Sequence, residues 1–263
     1  MHKIALLIPL IIIALTFVPA TGQAVTIGGP RIPLRAGSSE SLNWAGYADV
    51  VHEGTVSVAN ASFIVPTVQP SKASTYVAVW VGIDGYNDST VEQTGILAES
   101  SHNKVSYSAW YEFYPASPVY APSKDVVKPG DLIVAWVTYS DGNFTTVIKD
   151  ITAGWSFTSQ PTQVSGALES SAEWIVERPA VGGSLTTLAN FKVTDFGEYY
   201  TSVQGTSYAA IGGVNGPIGN FNNVAITMVN NHGSTLASPS SLTGSGTSFN
   251  VTYYSTSAGH AKR

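Results

Sequence analysis

From Asn43 to Tyr254 the chain is a succession of short β-type runs broken by Gly, Pro, Asn, Asp and Ser, with no long stretch of helical period. Ala59, Ala61, Phe63 and Val65 make one apolar face, Asn60 and Ser62 the other, until Pro66 ends the run. Val77 to Ile83, Tyr107 to Tyr114, Leu132 to Tyr139 and Phe144 to Ile148 follow. Trp155 to Thr158, Ala172 to Glu177, Phe191 to Phe196, Val224 to Val229 and Phe249 to Tyr254 complete the series. Lys128-Pro129-Gly130-Asp131 is a clear turn signal before one of them. Many short strands at regular spacing indicate an all-β sandwich or barrel. At most one short helical stretch is expected, near Leu185 to Ala189. There is no internal repeat and no second domain.

The N-terminus has a different character. Met1-His2-Lys3 is a short basic start, and Ile4 to Val18 is almost wholly apolar. Val18-Pro19-Ala20 and Gly22-Gln23-Ala24 each end in a residue small enough for signal peptidase. Residues 1–24 are therefore expected to be a secretory signal peptide, the apolar run being short of the roughly 20 residues of a spanning helix. Residues 25–40, with Gly28-Gly29-Pro30, Pro33 and Gly37-Ser38-Ser39, read as a linker or short pro-segment. The β-domain is expected over 41–257, with a tail at 258–263. The mature chain is expected to be secreted, extracellular and free of membrane. It has no Cys, so neither disulfides nor thiolate chemistry are open to it.

Charge is scarce. Asp, Glu, Lys and Arg make up 11% of the chain, against about 25% in an ordinary soluble domain, and the formal net charge is -5. With 12 basic residues and no run of them, nucleic-acid binding is excluded as an expectation. The same scarcity suggests a working condition. Acid unfolds proteins largely by protonating carboxylates that are paired in the native state. A chain with 17 carboxylates and 12 cationic partners has few such pairs to lose, which suits an acidic medium.

Several chemistries lack their residues. His occurs only at 2, 52, 102, 232 and 260, without metal-ligand spacing. There is no Gly-x-Ser-x-Gly elbow, no Asp-Thr-Gly or Asp-Ser-Gly, and no phosphate-cradling Gly loop ending in Lys. The working groups of an enzyme here would be carboxylates, amides and tyrosines, with no cofactor and no metal.

The informative carboxylates lie inside strands. Glu112 stands among aromatics in Trp110-Tyr111-Glu112-Phe113-Tyr114, with Trp110, Glu112 and Tyr114 on one face. Glu173 and Glu177 are four apart in Ala-Glu-Trp-Ile-Val-Glu-Arg-Pro and share a face too. Desolvation there raises a carboxyl pKa and suits acid–base work. An edge carboxylate facing solvent, or paired with Arg178, is the plainer alternative. Trp80-Val81-Gly82-Ile83-Asp84-Gly85 leads through a polar loop to Glu92-Gln93-Thr94-Gly95, which taken alone reads as an ordinary hairpin.

Taken in order, Asn-Trp-Ala-Gly-Tyr (43–47), Trp-Val-Gly-Ile-Asp-Gly (80–85), Gln-Thr-Gly (93–95), Ala-Trp-Tyr-Glu-Phe-Tyr-Pro (109–115), Pro-Gly-Asp (129–131) and Ala-Glu-Trp-Ile-Val-Glu-Arg-Pro (172–179) resemble the glutamic peptidases, the eqolisin family of acid endopeptidases. The resemblance spans about residues 43–254, closing on Gly246 to Tyr253. It implies a sandwich of two antiparallel sheets, similar to legume lectins. It implies that Gln93 and Glu177 are the catalytic pair, and that Trp44, Trp80, Asp84 and Glu112 line or support the substrate cleft. In that reading Asp84 orients Glu177 or Gln93 through hydrogen bonds. The substrate is polypeptide, pepsin-type inhibitors have no effect, and the chain acts as a monomer. Two features depart from the better-known members. There are no Cys, and the segment before Asn43 is short for a folded inhibitory pro-domain.

Composition and pattern alone leave two other readings open. One is a carbohydrate-binding β-sandwich with Trp and Tyr platforms. The other is a two-carboxylate glycosidase using Glu112 and Glu177. Gln93 discriminates, since neither needs a Gln at that place. Asn60, Asn87, Asn143 and Asn250 head Asn-x-Ser/Thr sequons that matter only in a glycosylating host.

Overall fold

The computed structural model describes residues 25–197, 207–243 and 245–254; the expected signal peptide and C-terminal tail lie outside them. Two sheets face each other. Across the first run Asn223–Val229, Trp44–Val50, Ser171–Glu177, Thr75–Ile83, Val91–Ser101, Lys104–Tyr114 and Val119–Tyr120. The second is built on Val56–Ile64. On one side of it lie Leu132–Ser140, Asn143–Asp150 and Trp155–Thr158. On the other lie Val193–Phe196 and Tyr208–Ile211. Phe249–Tyr253 and Thr235–Pro239 carry the ladder back to Asn223–Val229, which pairs in both sheets and so closes it. Pairing within both sheets is antiparallel, apart from a short parallel contact of Asn223–Val229 with Glu40–Ser41.

Strand alternation divides the first sheet's side chains. Val77, Val79, Val81 and Ile83 pack inward with Phe63, Ile133 and Phe196 of the second sheet. Trp174 joins them and ties the sheets, its indole Nε1 donating to the Asn60 carbonyl at 2.7 Å. Residues of opposite parity form a second apolar cluster on the outer face, among them Trp44, Tyr76, Ala78, Trp80, Leu97 and Trp110. Trp44 and Trp80 meet edge to face with ring centroids 5.0 Å apart. The first sheet is therefore buried on both faces, which is why its strands carry no apolar–polar alternation.

Two expectations are corrected. There is no helix at Leu185 to Ala189. Ser184–Leu185 pairs with Ala180–Val181, and the chain beyond bonds the sheet edge: Tyr76 N–H to Thr187 O, Ala189 N–H to Tyr76 O. Main chain satisfied by a neighbouring strand has no need of helical bonds. The helical turn that does occur among the described residues is a single 3₁₀ turn at Ile218–Asn220. The second correction is a strand the sequence conceals, Val91–Ser101, eleven residues long and carrying Gln93. No helix among the described residues is long and apolar enough to cross a membrane.

The scarcity of charge has a structural counterpart. The ion pair found among the described residues is Lys124 with Asp125 at 3.5 Å. Most carboxyl groups of the interior are instead buried without cations. Burial raises Asp49 to about 8, and raises Glu92, Glu112 and Glu173 well above the usual carboxylate range. Burial, and then the neighbouring Asp84 charge, raises Asp88 to about 6. Unfolded, each would titrate near its ordinary value, about 4. The folded state thus holds more protons than the unfolded state above that pH. The stability this confers is complete below about pH 4 and is lost as pH rises through the folded values, about 6 for Asp88 and about 8 for Asp49. Thermal unfolding followed by circular dichroism is expected to show the highest Tm near pH 3–4, falling by on the order of 10 °C by pH 8. A Tm that rises between those limits would contradict the neutral-acid interior.

Candidate active site

The outer face of the first sheet brings Glu177 and Gln93 to one point, although 83 residues of other structure separate them in sequence. Glu177 ends Ser171–Glu177, and Gln93 sits near the start of Val91–Ser101; Thr75–Ile83 runs between them. Gln93 lies opposite Gly82, and Trp80 opposite Gly95. A Cβ on Gly95 would overlap the Val79 carbonyl and crowd the Trp80 backbone. The glycine of Gln-Thr-Gly is thus what lets these strands close up beneath the Trp80 ring.

Glu177 is buried, and its Oε2 accepts the Trp80 Nε1 hydrogen at 2.8 Å. The same oxygen accepts the Gly28 N–H at 2.8 Å. The Gln93 amide Nε2 donates to the Gly28 carbonyl at 2.7 Å and to Glu112 Oε2 at 3.2 Å. Gln93 and Glu112 are direct cross-strand partners, which sets that second contact. Burial pushes Glu177 up to about 8, with the hydrogen bonds from Trp80, Gly28 and Asn43 pulling it down. Glu112 is raised by burial and then by the Glu177 charge, which favours its neutral form.

The remaining residues singled out from sequence divide. Trp44 and Trp80 flank the pair; Trp44 Nε1 donates to the Gly29 carbonyl at 3.2 Å. Asp84 does not join them. Its carboxylate accepts the N–H groups of Leu168, Glu169 and Ser170, each at 2.8 Å, and bonds neither Gln93 nor Glu177. Asp-Gly ends one strand where φ of Asp84 is 70°, and from there its side chain pins the loop that feeds Ser171–Glu177. Its effect on Glu177 passes through that strand. Glu173 shares the face of Glu177 and is fully buried, with neither oxygen hydrogen-bonded. Arg178 pairs with neither glutamate, and its Nε is buried without a partner.

Sequence reasoning missed Gly28 and Asn43. Asn43 reaches the Pro30 carbonyl through Nδ2 at 3.1 Å, while its Oδ1 accepts the Ile32 N–H at 2.8 Å. The signals for Gly28 were a glycine pair in a stretch read as a linker and the apolar Ile27 beside it. Among the described residues no group of three or more His, Asp or Glu is arranged to hold a metal ion.

The Peptidase A4 family pattern matches residues 42–253. The chain is 33% identical over 190 residues to Aspergillopepsin-2 of Aspergillus niger, a match covering 64% of this chain and 65% of that protein, just under two thirds of its length. Its fold is similar to crystalline scytalido-glutamic peptidase bound to a transition-state analog inhibitor. There the TM-score is 0.66 at 22% identity, over 81% of this chain and 98% of that one. Aspergilloglutamic peptidase from Aspergillus niger superposes with a TM-score of 0.59 at 30% identity, over 68% of this chain and 99% of its own.

Removing the Asp84 carboxylate would strip three N–H groups of a charged acceptor. Asp84→Ala is expected to destabilise by about 3 kcal/mol in urea unfolding, since bonds to charged groups are each worth about 1.5–3 kcal/mol and water recovers part of the loss. An unchanged midpoint would remove Asp84 from the support of the Glu177 strand.

Proposed function

The chain belongs to the peptidase A4 family, the glutamic peptidases, and on that premise we propose that it is a secreted acid endopeptidase whose catalytic pair is Glu177 and Gln93. One observation carries the assignment of the pair. The main chain of one residue, Gly28, is held on both sides, its N–H by the Glu177 carboxyl and its C=O by the Gln93 amide. A pair that bonds the main chain of an extended segment, with the amide donating to a peptide carbonyl oxygen beside a carboxyl, suits hydrolysis of a peptide bond. Neither a sugar-binding face nor a pair of carboxylates acting on a glycoside requires a Gln at that place.

The reaction divides between them. Glu177 acts as base in its ionised form, which burial beneath Gly28 opposes and which water and substrate in place of Gly28 restore; it takes a proton from that water, and the water oxygen bonds to the scissile carbonyl carbon. The negative charge that forms on the carbonyl oxygen is met by the Gln93 NH₂, and one such donor is typically worth about 2.7–4 kcal/mol. Glu177 then returns the proton to the amide nitrogen as the C–N bond breaks, leaving a free carboxyl and a free amine. Desolvation keeps the proton on Glu177 through the intermediate. Trp80 steadies the oxygen that carries it, donating from its indole. Glu112, held neutral by burial, can sit against Gln93 without adding a second negative charge beside Glu177. Trp44 and Trp80 offer apolar walls to extended substrate chain.

Purified chain is expected to cleave unfolded protein at acid pH and not at neutral pH, and a pepsin-type inhibitor is expected to leave the rate unchanged. Glu177→Gln is expected to abolish turnover. Gln93→Ala is expected to lower kcat by about 10²–10³-fold or more, the loss typical of one oxyanion donor. Circular dichroism is expected to show both variants folded. Proteolysis retained by purified Glu177→Gln would end the assignment of that residue.

A further inference from the structure

One part of the site comes from outside the two sheets. Val25–Thr26 adds as an antiparallel strand to Ala180–Val181, just beyond Glu177. Val25 and Ile27 are buried in the same apolar cluster as Trp44, Trp80 and Trp110, Ile27 completely. Gly28 then lies on the Glu177–Gln93 pair. The next two carbonyls are held as well, Gly29 by the Trp44 indole and Pro30 by Asn43. Arg31 closes the run: its N–H bonds the Gly85 carbonyl at 2.9 Å, its Nη1 donates to Ser38 O at 2.7 Å, and its guanidinium lies 4.1 Å over the Tyr86 ring. Main-chain pairing, a buried apolar side chain and a residue held by both its N–H and its C=O are the marks of a bound extended peptide.

We propose that Val25–Arg31 is an intramolecular peptide ligand of this cleft, seated with Gly28 on the Glu177–Gln93 pair, and that it excludes other peptides until it leaves. The consequence for catalysis rests on the peptidase reading of that pair. The Gly28 N–H occupies the Glu177 oxygen that a reacting water needs, and the Gly28 carbonyl occupies the amide that a substrate carbonyl needs. While the segment is seated, neither group is open to substrate. Glycine is required at this point. Its φ is +68°, and a Cβ there would overlap the Gln93 carboxamide. A short segment therefore does by direct occupation what a folded pro-domain would do by covering the cleft.

The test uses the full chain, with its intact mass showing residues 25–31 attached, as wild type, Gly28→Val and Ile27→Ser. Gly28→Val removes the fit at the pair; Ile27→Ser removes the apolar anchor by a different means. Hydrogen exchange at neutral pH is expected to show the 28 and 31 amides of wild type protected. In both variants that protection is expected to fall at least about 100-fold, while strands 75–83 and 91–101 keep theirs. A fluorescent Val-Thr-Ile-Gly-Gly-Pro-Arg peptide, titrated to about millimolar because a short tether gives an effective concentration of that order, is expected to bind both variants and not wild type. At acid pH the initial rate on unfolded protein is expected to be at least about 10-fold higher for the variants. Wild-type amides at 28 and 31 that exchange as in an unfolded peptide would overturn the proposal, as would peptide binding equal in all three chains. Exchange and peptide binding as expected, with no cleavage by any of the three, would uphold the occupancy and overturn the peptidase reading instead.

Discussion

The structure depends on carboxyl groups placed where neither water nor a cation meets them. Desolvation of a charge is costly, and a carboxyl escapes the cost by keeping its proton. Asp49, Glu92, Glu112, Glu173 and Glu177 all sit in this condition, on both faces of one sheet. In a chain with more Lys and Arg such groups would be ion-paired, and acid would weaken the fold by protonating them. Here acid supplies the form the interior already requires. The low charge content and the raised Glu177 carboxyl are in this way one property: the environment that holds Glu177 up to about 8 is of the same kind as the one that holds Asp49 there.

Burial of the first sheet on both faces is what makes such an environment available at its outer surface. An ordinary sandwich sheet turns one face to solvent. Here Trp44, Trp80 and Trp110 cover the outer face, and each is completely buried. Glu177 and Gln93 project among them from strands that flank Thr75–Ile83. Their separation is set by strand spacing rather than by a loop, so the geometry is as rigid as the sheet. Asp84 contributes at one remove, by fixing the turn from which the Glu177 strand sets out.

The same double burial decided what could be read from the sequence. Strands with one face toward a core and β-branched content, such as Val56–Ile64 and Asn143–Asp150, were legible, their ends within three residues. Val91–Ser101 was not, because its inward face holds Glu92 and Thr94 and its outward face Gln93 and Glu99, so polar residues occupy both. Other segments escaped as well, among them Tyr208–Ile211, Val214–Pro217, Thr235–Pro239 and the two-residue Val25–Thr26. Of the site, Trp44, Trp80, Gln93, Glu112 and Glu177 were legible through ordered motifs. Asp84 was legible as a singular residue and not as a loop anchor, since a hydrogen bond to an N–H 84 residues away leaves no local pattern.

Gly28 was illegible for a deeper reason. Glycine, proline and serine mark a linker when nothing else is known, because they favour turns and carry little apolar surface. In Val-Thr-Ile-Gly-Gly-Pro the same glycine is demanded by an outside constraint, the Gln93 carboxamide lying where its Cβ would be. Composition cannot distinguish a glycine that is free from one that is confined. The neighbouring residue can, in retrospect: Ile27 is a large β-branched side chain with no place in a solvated linker, and it is wholly buried. An isolated apolar residue beside a glycine pair, ahead of a β-domain, is the pattern that a segment folded back onto that domain would leave.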